Sequence, residues 1–227
     1  MENWRKFLSE GVDSRIRKQI DTLLAIDHQG LKAGVVITDK DTFGVSFKYC
    51  FIKPNGSWFD IEPDDAEQYV GRKIVKTGIP YGEVQIRDED KNGECLGAWE
   101  VFSSGATRGF GPLLYELALE WASQRGGGLM SDRMSVSDYA MAVWGKYDSR
   151  GDVKSAQLDI DMMKTNIPDE LGDELFNLTD TPDDDCNQSK AVRDKALNWD
   201  DTPMSKVYIK KSTEVMSALG DRLIIDL

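Results

Sequence analysis

The sequence predicts an α/β protein: a mixed, largely antiparallel central sheet flanked by helices, with an N-terminal helix and an acidic, loop-rich C-terminal extension. Three observations predict it. The stretches "KAGVVITD" (32–39) and "TFGVSFKYCFIK" (42–53) are rich in the β-branched and aromatic residues that fit a pleated surface. Apolar residues recur at spacings of three and four over 2–25 and again over 112–124, which is the period of an amphipathic helix. Finally, the strand-like "AWEVF" (98–102) leads through Gly109-Phe110-Gly111 straight into the second of those helices. The expected organisation is a helical segment over 1–27, an α/β domain over 28–150 and an extension over 151–227 packing on it.

In the first segment Trp4, Phe7, Leu8, Val12, Ile16, Ile20, Leu23 and Leu24 make one stripe, and Gly11 divides it into a short helix and a longer one starting near Asp13. After the strands at 32–39 and 42–53, Asn55-Gly56 supplies the positive φ angles of a turn. A short helix follows at "PDDAEQYV" (63–70). "YGEVQIRDED", "KNGE" and "CLGAWEVFSS" read as strand, turn and strand. Pro112 suits the first turn of a helix running to about Gln124, whose buried face is Leu113, Leu114, Leu117, Ala118, Trp121 and Ala122. "GLMSD" is a short strand, and Ser135 or Ser137 caps a helix ending near Tyr147. Beyond Arg150 the chain turns acidic and proline-punctuated, which predicts loops with short helices. "KVYIKK" (206–211) is a late strand, a helix covers about 212–219, and "RLIIDL" is a tail.

At 227 residues and a formal charge of −12, the chain is large enough for a core of its own and too acidic to bind a phosphate backbone broadly. No nucleic acid partner is expected, and a basic partner or plain solubility accounts for the charge. No apolar run is long enough to span a bilayer, so no membrane association is expected. "MENWRKFLSEG" is too charged for a secretory signal, so Cys50, Cys95 and Cys186 read as reduced thiols in a cytosol. His28 is the single histidine, and no motif gathers carboxylates around it, so no metal site is expected.

A glycine turn between a strand and a helix start either cradles a phosphate or simply turns the chain. Glycine lets backbone approach a pyrophosphate, a helix start offers unpaired N–H groups, and Arg108 adds a cation. With the order strand, Arg-Gly-x-Gly turn, amphipathic helix, short strand and a helix ending "AVWGKY", residues 80–150 resemble the GNAT superfamily of acyl-CoA N-acyltransferases. The resemblance implies that backbone amides of Arg108, Gly109, Phe110, Gly111 and Leu113 hold the pyrophosphate of acetyl-CoA. It also implies that strand 98–104 exposes backbone to the pantetheine arm. The sequence departs from the family pattern at Ala106, where Gln or Arg is usual, and at Pro112, which lacks an amide donor. In place of the family's Tyr four residues after an Ala, Trp144 follows Ala140; Tyr147, one turn on, is the candidate acid for the leaving thiolate, or an aromatic that packs a helix end. Glu83 and Glu100, on the two strands before the turn, are candidate general bases, with Asp132 or a water held by backbone carbonyls as alternatives.

"MENWRKFLSEG" also resembles the capsid-targeting leader of internal head proteins in large tailed phages, with Leu8-Ser9-Glu10 in the form that prohead proteases cut. Two functions from different classes follow. One is an acetyltransferase acting on an amine-bearing small molecule or protein, phage-encoded and located in the host cytoplasm. The other is a catalytically inactive GNAT-fold phage protein, acting inside the virion or as an acidic inhibitor of a host protein.

Overall fold

The computed structural model describes residues 13–28, 30–40, 44–61, 80–88, 95–107, 109–158, 186, 192, 195 and 201–227. The fold is mixed α/β, with a largely antiparallel open sheet and, among the described residues, four α-helices. The leader up to Val12, the helix expected at 63–70 and Arg108 lie outside the described residues. Two compact units divide the chain. The first comprises Met1–Ile86, Ser103–Ala118 and Ser212–Leu227; the second comprises Arg87–Phe102 and Leu119–Lys211.

In the first unit, helix α1 (Ser14–Leu24) starts where Asp13 accepts the Arg15 N–H at 2.7 Å, and it buries Ile16, Gln19, Ile20 and Leu23. Strands β1 (Asp27–His28), β2 (Leu31–Asp39), β3 (Gly44–Ile52) and β4 (Trp58–Asp60) follow. β2 and β3 pair antiparallel with Val35 opposite Tyr49, and Gly56, at φ +85°, makes the expected turn into β4. β3 is covered along nearly its whole length, which is why its sequence is apolar without strict alternation. Strands β5 (Gly82–Arg87) and β6 (Trp99–Ala106) extend the order to β1-β2-β3-β5-β6. A Cβ at Gly82, whose φ is +133°, would strike the backbone of Gly105 and Ala106, so β5 and β6 approach here only through glycine.

Helix α2 (Gly111–Arg125) differs from expectation. Every residue from Leu113 to Ala122 is buried, Glu116 and Glu120 included, so the helix is enclosed on all sides and not amphipathic. In the second unit β7 (Leu129–Met130) lies parallel to the start of β6, with α2 as the crossover that a parallel pair requires. Helix α3 (Asp138–Asp148) is capped by Ser137, as one of the two serines was expected to do. β8 (Lys154–Gln157) and β9 (Lys206–Ile209) complete the order β6-β7-β9-β8. β9 was legible in "KVYIKK". β8 was not, because "KSAQ" carries none of the β-branched or aromatic residues that mark a strand.

Back in the first unit, helix α4 (Glu214–Leu219) leads to β10 (Leu223–Asp226). The sequence read this end as a tail; it pairs in parallel with β2, Ile224 opposite Val36. Arg222 anchors it, donating to the carbonyls of Ala33 at 2.9 Å and of Ile26 and Leu24 at 3.2 Å each. Arg222→Met is expected to cost about 2–3 kcal/mol, the scale of hydrogen bonds from a charged donor, read from the urea midpoint.

The cysteine reading needs correction. Cys95 and Cys186 form a disulfide, their Cα atoms 4.7 Å apart across a separation of 91 residues. Cys186 packs with Ala98, Met130, Leu158 and Val207, and Cys95 and Leu96 cover that cluster. Tertiary packing, not spacing along the chain, brings the two thiols together. Cys50 stays free and buried, and burial together with the nearby Asp60 pushes its thiol up to about 12.

Candidate functional site

The glycine turn lies wholly within the first unit. β6 is covered as far as Val101 and exposed from Phe102 to Ala106, so its last five residues offer strand backbone to solvent. Thr107 ties down its end: its N–H donates to the Tyr81 carbonyl at 2.8 Å, and its Oγ1 accepts the Tyr81 N–H at 3.0 Å. The Phe110 N–H donates to the Thr107 carbonyl at 2.9 Å, closing a four-residue turn. Gly109 takes φ +95°, a conformation that L side chains avoid, and a Cβ there would meet nothing within 4 Å.

Two core side chains grip the start of α2. The Tyr49 hydroxyl donates to the Phe110 carbonyl at 2.8 Å, and its ring stands edge-on to that of Phe110 at 6.0 Å. The Leu113 N–H, 3.3 Å from the same carbonyl, donates to Gln19 Oε1 at 2.9 Å. Of the five residues whose amides the resemblance assigns to pyrophosphate, Phe110 and Leu113 therefore have their N–H groups engaged, and Arg108 is not described. Gly109 and Gly111 remain, and neither N–H has an acceptor among the described residues. Both sit at the positive end of a 15-residue helix. Tyr49 and Gln19 were missed in the sequence. Tyr49 looks like an ordinary core position of a strand and Gln19 falls outside the apolar stripe of α1, and only the fold brings them to a turn more than sixty residues away in sequence.

The candidate bases fall in different surroundings. Glu83, in the first unit, accepts the Ser46 hydroxyl and lies 3.7 Å from Lys48 Nζ, which also faces Asp60 at 3.5 Å. Glu100, in the second unit, is 1 % exposed. It accepts the Arg133 N–H at 2.6 Å and the Arg87 Nε at 3.0 Å. Arg87 in turn lies over the Phe102 ring, its Cζ 4.3 Å from the ring centre. Burial raises the Glu100 carboxyl above the usual carboxylate range, and the Arg133 amide and Arg87 oppose that rise without cancelling it. Asp132 is turned to local work, accepting the N–H groups of Met134 and Ser135 at 2.6 and 2.8 Å.

Tyr147 is buried at the end of α3, beside Trp144 at 5.8 Å and Tyr208 at 5.8 Å. Trp144 stacks on Tyr208 and is buried in the core. Among the described residues, no group of three or more His, Cys, Asp and Glu side chains could hold a metal ion, and no helix is long and apolar enough to cross a membrane.

Comparison with protein-family models, curated proteins and solved structures finds no match to this chain.

Proposed function

We propose that the chain is a GNAT-like N-acyltransferase that moves an acetyl group from acetyl-CoA to an amine. The observation that carries this reading is the turn between β6 and α2. The Thr107, Phe110 and Leu113 N–H groups have acceptors within the fold, while the Gly109 and Gly111 amides have none among the described residues and stand at a helix start. The surrounding order, exposed strand, glycine turn, enclosed helix, short parallel strand and second helix, supports the same reading. The pyrophosphate would accept from Gly109 and Gly111, with Arg108 as the nearby cation. The pantetheine arm would run along the exposed strand at 102–106. Glu83 and Glu100 are the two candidate bases for the ammonium proton, and burial raises the carboxyl of the second. The amine then attacks the thioester carbonyl, the carbon–sulfur bond breaks, and Tyr147 is the candidate donor to the thiolate.

Titration with acetyl-CoA by calorimetry tests the site. Binding is expected in the micromolar range, about −8 kcal/mol, and Gly109→Glu should abolish it by placing a carboxylate where the phosphates sit. No binding by the wild-type chain at millimolar ligand would sink the reading.

The second reading, an inactive GNAT-fold phage protein acting as an internal virion component or as an acidic inhibitor of a host protein, is favoured by two observations. Pro112 and the engaged Leu113 amide thin the donor set, and Tyr147 sits within an aromatic cluster. The Cys95–Cys186 disulfide is also easier to reconcile with a virion interior than with a reducing host cytoplasm.

A further inference from the structure

We infer that β10 is a docking edge for a second copy of this chain: its free side pairs antiparallel with β10 of that copy, about a twofold axis at Ile225. This goes beyond the acyl-CoA reading and does not depend on it.

In the first unit, β3 occupies one side of β2, and β1 and β10 share the other, so no described strand lies beyond β10. A strand offers backbone N–H and C=O groups alternately to its two sides, so half of those in β10 point away from β2. Such an edge is ordinarily blunted by lysine, by proline or by extreme shortness. β8, last in the strand order at its other end, carries an exposed Lys154, and β1 is only two residues long. β10 has neither guard: Leu223-Ile224-Ile225-Asp226 holds no lysine and no proline.

The two faces of β10 differ. Ile224 packs against the cluster of Val36, Cys50 and Ile52. Asp226, two residues on and so on the same face, accepts the Trp58 indole N–H at 3.1 Å. The one charge of the strand is therefore held on that face. The opposite face carries Leu223 and Ile225 and continues to Leu227, and the last two are 53 % and 57 % exposed.

This row identifies the partner, because Leu-Ile-Leu reads the same in both directions about Ile225. An antiparallel copy sets Leu223 opposite Leu227 at both ends and Ile225 opposite its counterpart, an unbroken apolar ladder. On the other face Asp226 meets Ile224, so no two carboxylates stand opposite each other. The neighbouring registers are worse. Centring the pair on Asp226 sets that carboxylate against its twin, and centring it on Ile224 runs Leu227 against the exposed Asp221. A basic segment, the partner that a net charge of −12 would otherwise suggest, finds no carboxylate in the row.

Sedimentation velocity of the full chain from about 1 to about 500 µM tests the assignment. One short strand a side is a small interface, so a monomer–dimer equilibrium with a Kd of about 10–100 µM is expected. Copies at −12 each repel, so the Kd should fall as salt is raised. Ile225→Lys sets two ammonium groups on the axis and should raise the Kd at least about tenfold. Tyr139→Ser, at an exposed aromatic of the second unit, should leave it at the wild-type value. In the wild-type chain, amides of β10 should exchange with deuterium more slowly at the upper concentration than at the lower; this decides the matter alone if Ile225→Lys does not fold. A chain that stays monomeric throughout overturns the assignment. So does a dimer that tolerates Ile225→Lys, one that salt dissolves, or slowed exchange confined to another segment.

Discussion

Lys210→Met is expected to destabilise the protein by about 3–5 kcal/mol, the range for breaking a buried ion pair from one side. The Lys210 ammonium donates to Glu120 Oε1 at 2.8 Å, and both side chains are fully enclosed. Lys210 follows directly on β9, and its N–H donates to Ser123 Oγ at 2.9 Å, so backbone and side chain are both bound to the second half of α2. Methionine matches the stem and fills the same space, which isolates the electrostatic loss of the ammonium from beside an enclosed carboxylate. The double variant Lys210→Met/Glu120→Leu should recover most of the loss, because an apolar pair of similar volume often equals or betters a buried salt bridge. Guanidinium unfolding of the two variants against the parent checks both values. A single-variant cost below about 1 kcal/mol would mean that the pair behaves as an exposed one, with water reaching the carboxylate.

That pair marks what could and could not be read from the chain. Strands β2 and β3, the Asn55-Gly56 turn, helices α1 to α3 and β9 are visible in the sequence because each rests on a local cause: periodicity, a cap, or a run of β-branched residues. α2 was legible as a helix but not as an enclosed one. Glu116 and Glu120 look like its solvent face until β9 brings Lys210 to the second of them. Strand β10 was hidden because four residues of "LIID" have no pattern of their own; their partner is β2, almost two hundred residues earlier. The candidate site divides in the same way. Gly109 and Gly111 stand out because glycine between a strand and a helix has few local uses. The side chains bonded to the start of α2 do not: Tyr49 reads as a strand core position, and Gln19 lies outside the apolar stripe of its helix. The disulfide belongs with them: two cysteines 91 residues apart carry no sign of pairing, and the charged leader pointed to reduced thiols instead.

Glu100→Gln is expected to lower kcat by about 10²–10⁴-fold, the usual contribution of a general base, with the affinity for acetyl-CoA unchanged. The amide keeps an oxygen for the Arg133 N–H, so the local turn should hold, while the bond from Arg87 Nε is lost together with the proton acceptor. The pH dependence separates this from a structural effect. Burial raises the Glu100 carboxyl, so the active carboxylate form accumulates only above the ordinary glutamate range, and the wild-type rate should climb with pH through that raised value. The limb should vanish in the variant. Stability runs the other way. A carboxyl raised in the folded state favours folding fully below its unfolded pKa, and that contribution is lost as pH rises through the folded value. Glu100→Gln should therefore lose less stability than the parent between acid and neutral pH. Glu83→Gln is the discriminating comparison. Glu83 is bonded to Ser46 and faces Lys48, so its carboxyl is held by neighbours within the first unit. If the loss of rate and of the pH limb falls on Glu83→Gln and spares Glu100→Gln, then Glu100 is a buried brace for Arg133 and Arg87, and the proton leaves through the first unit.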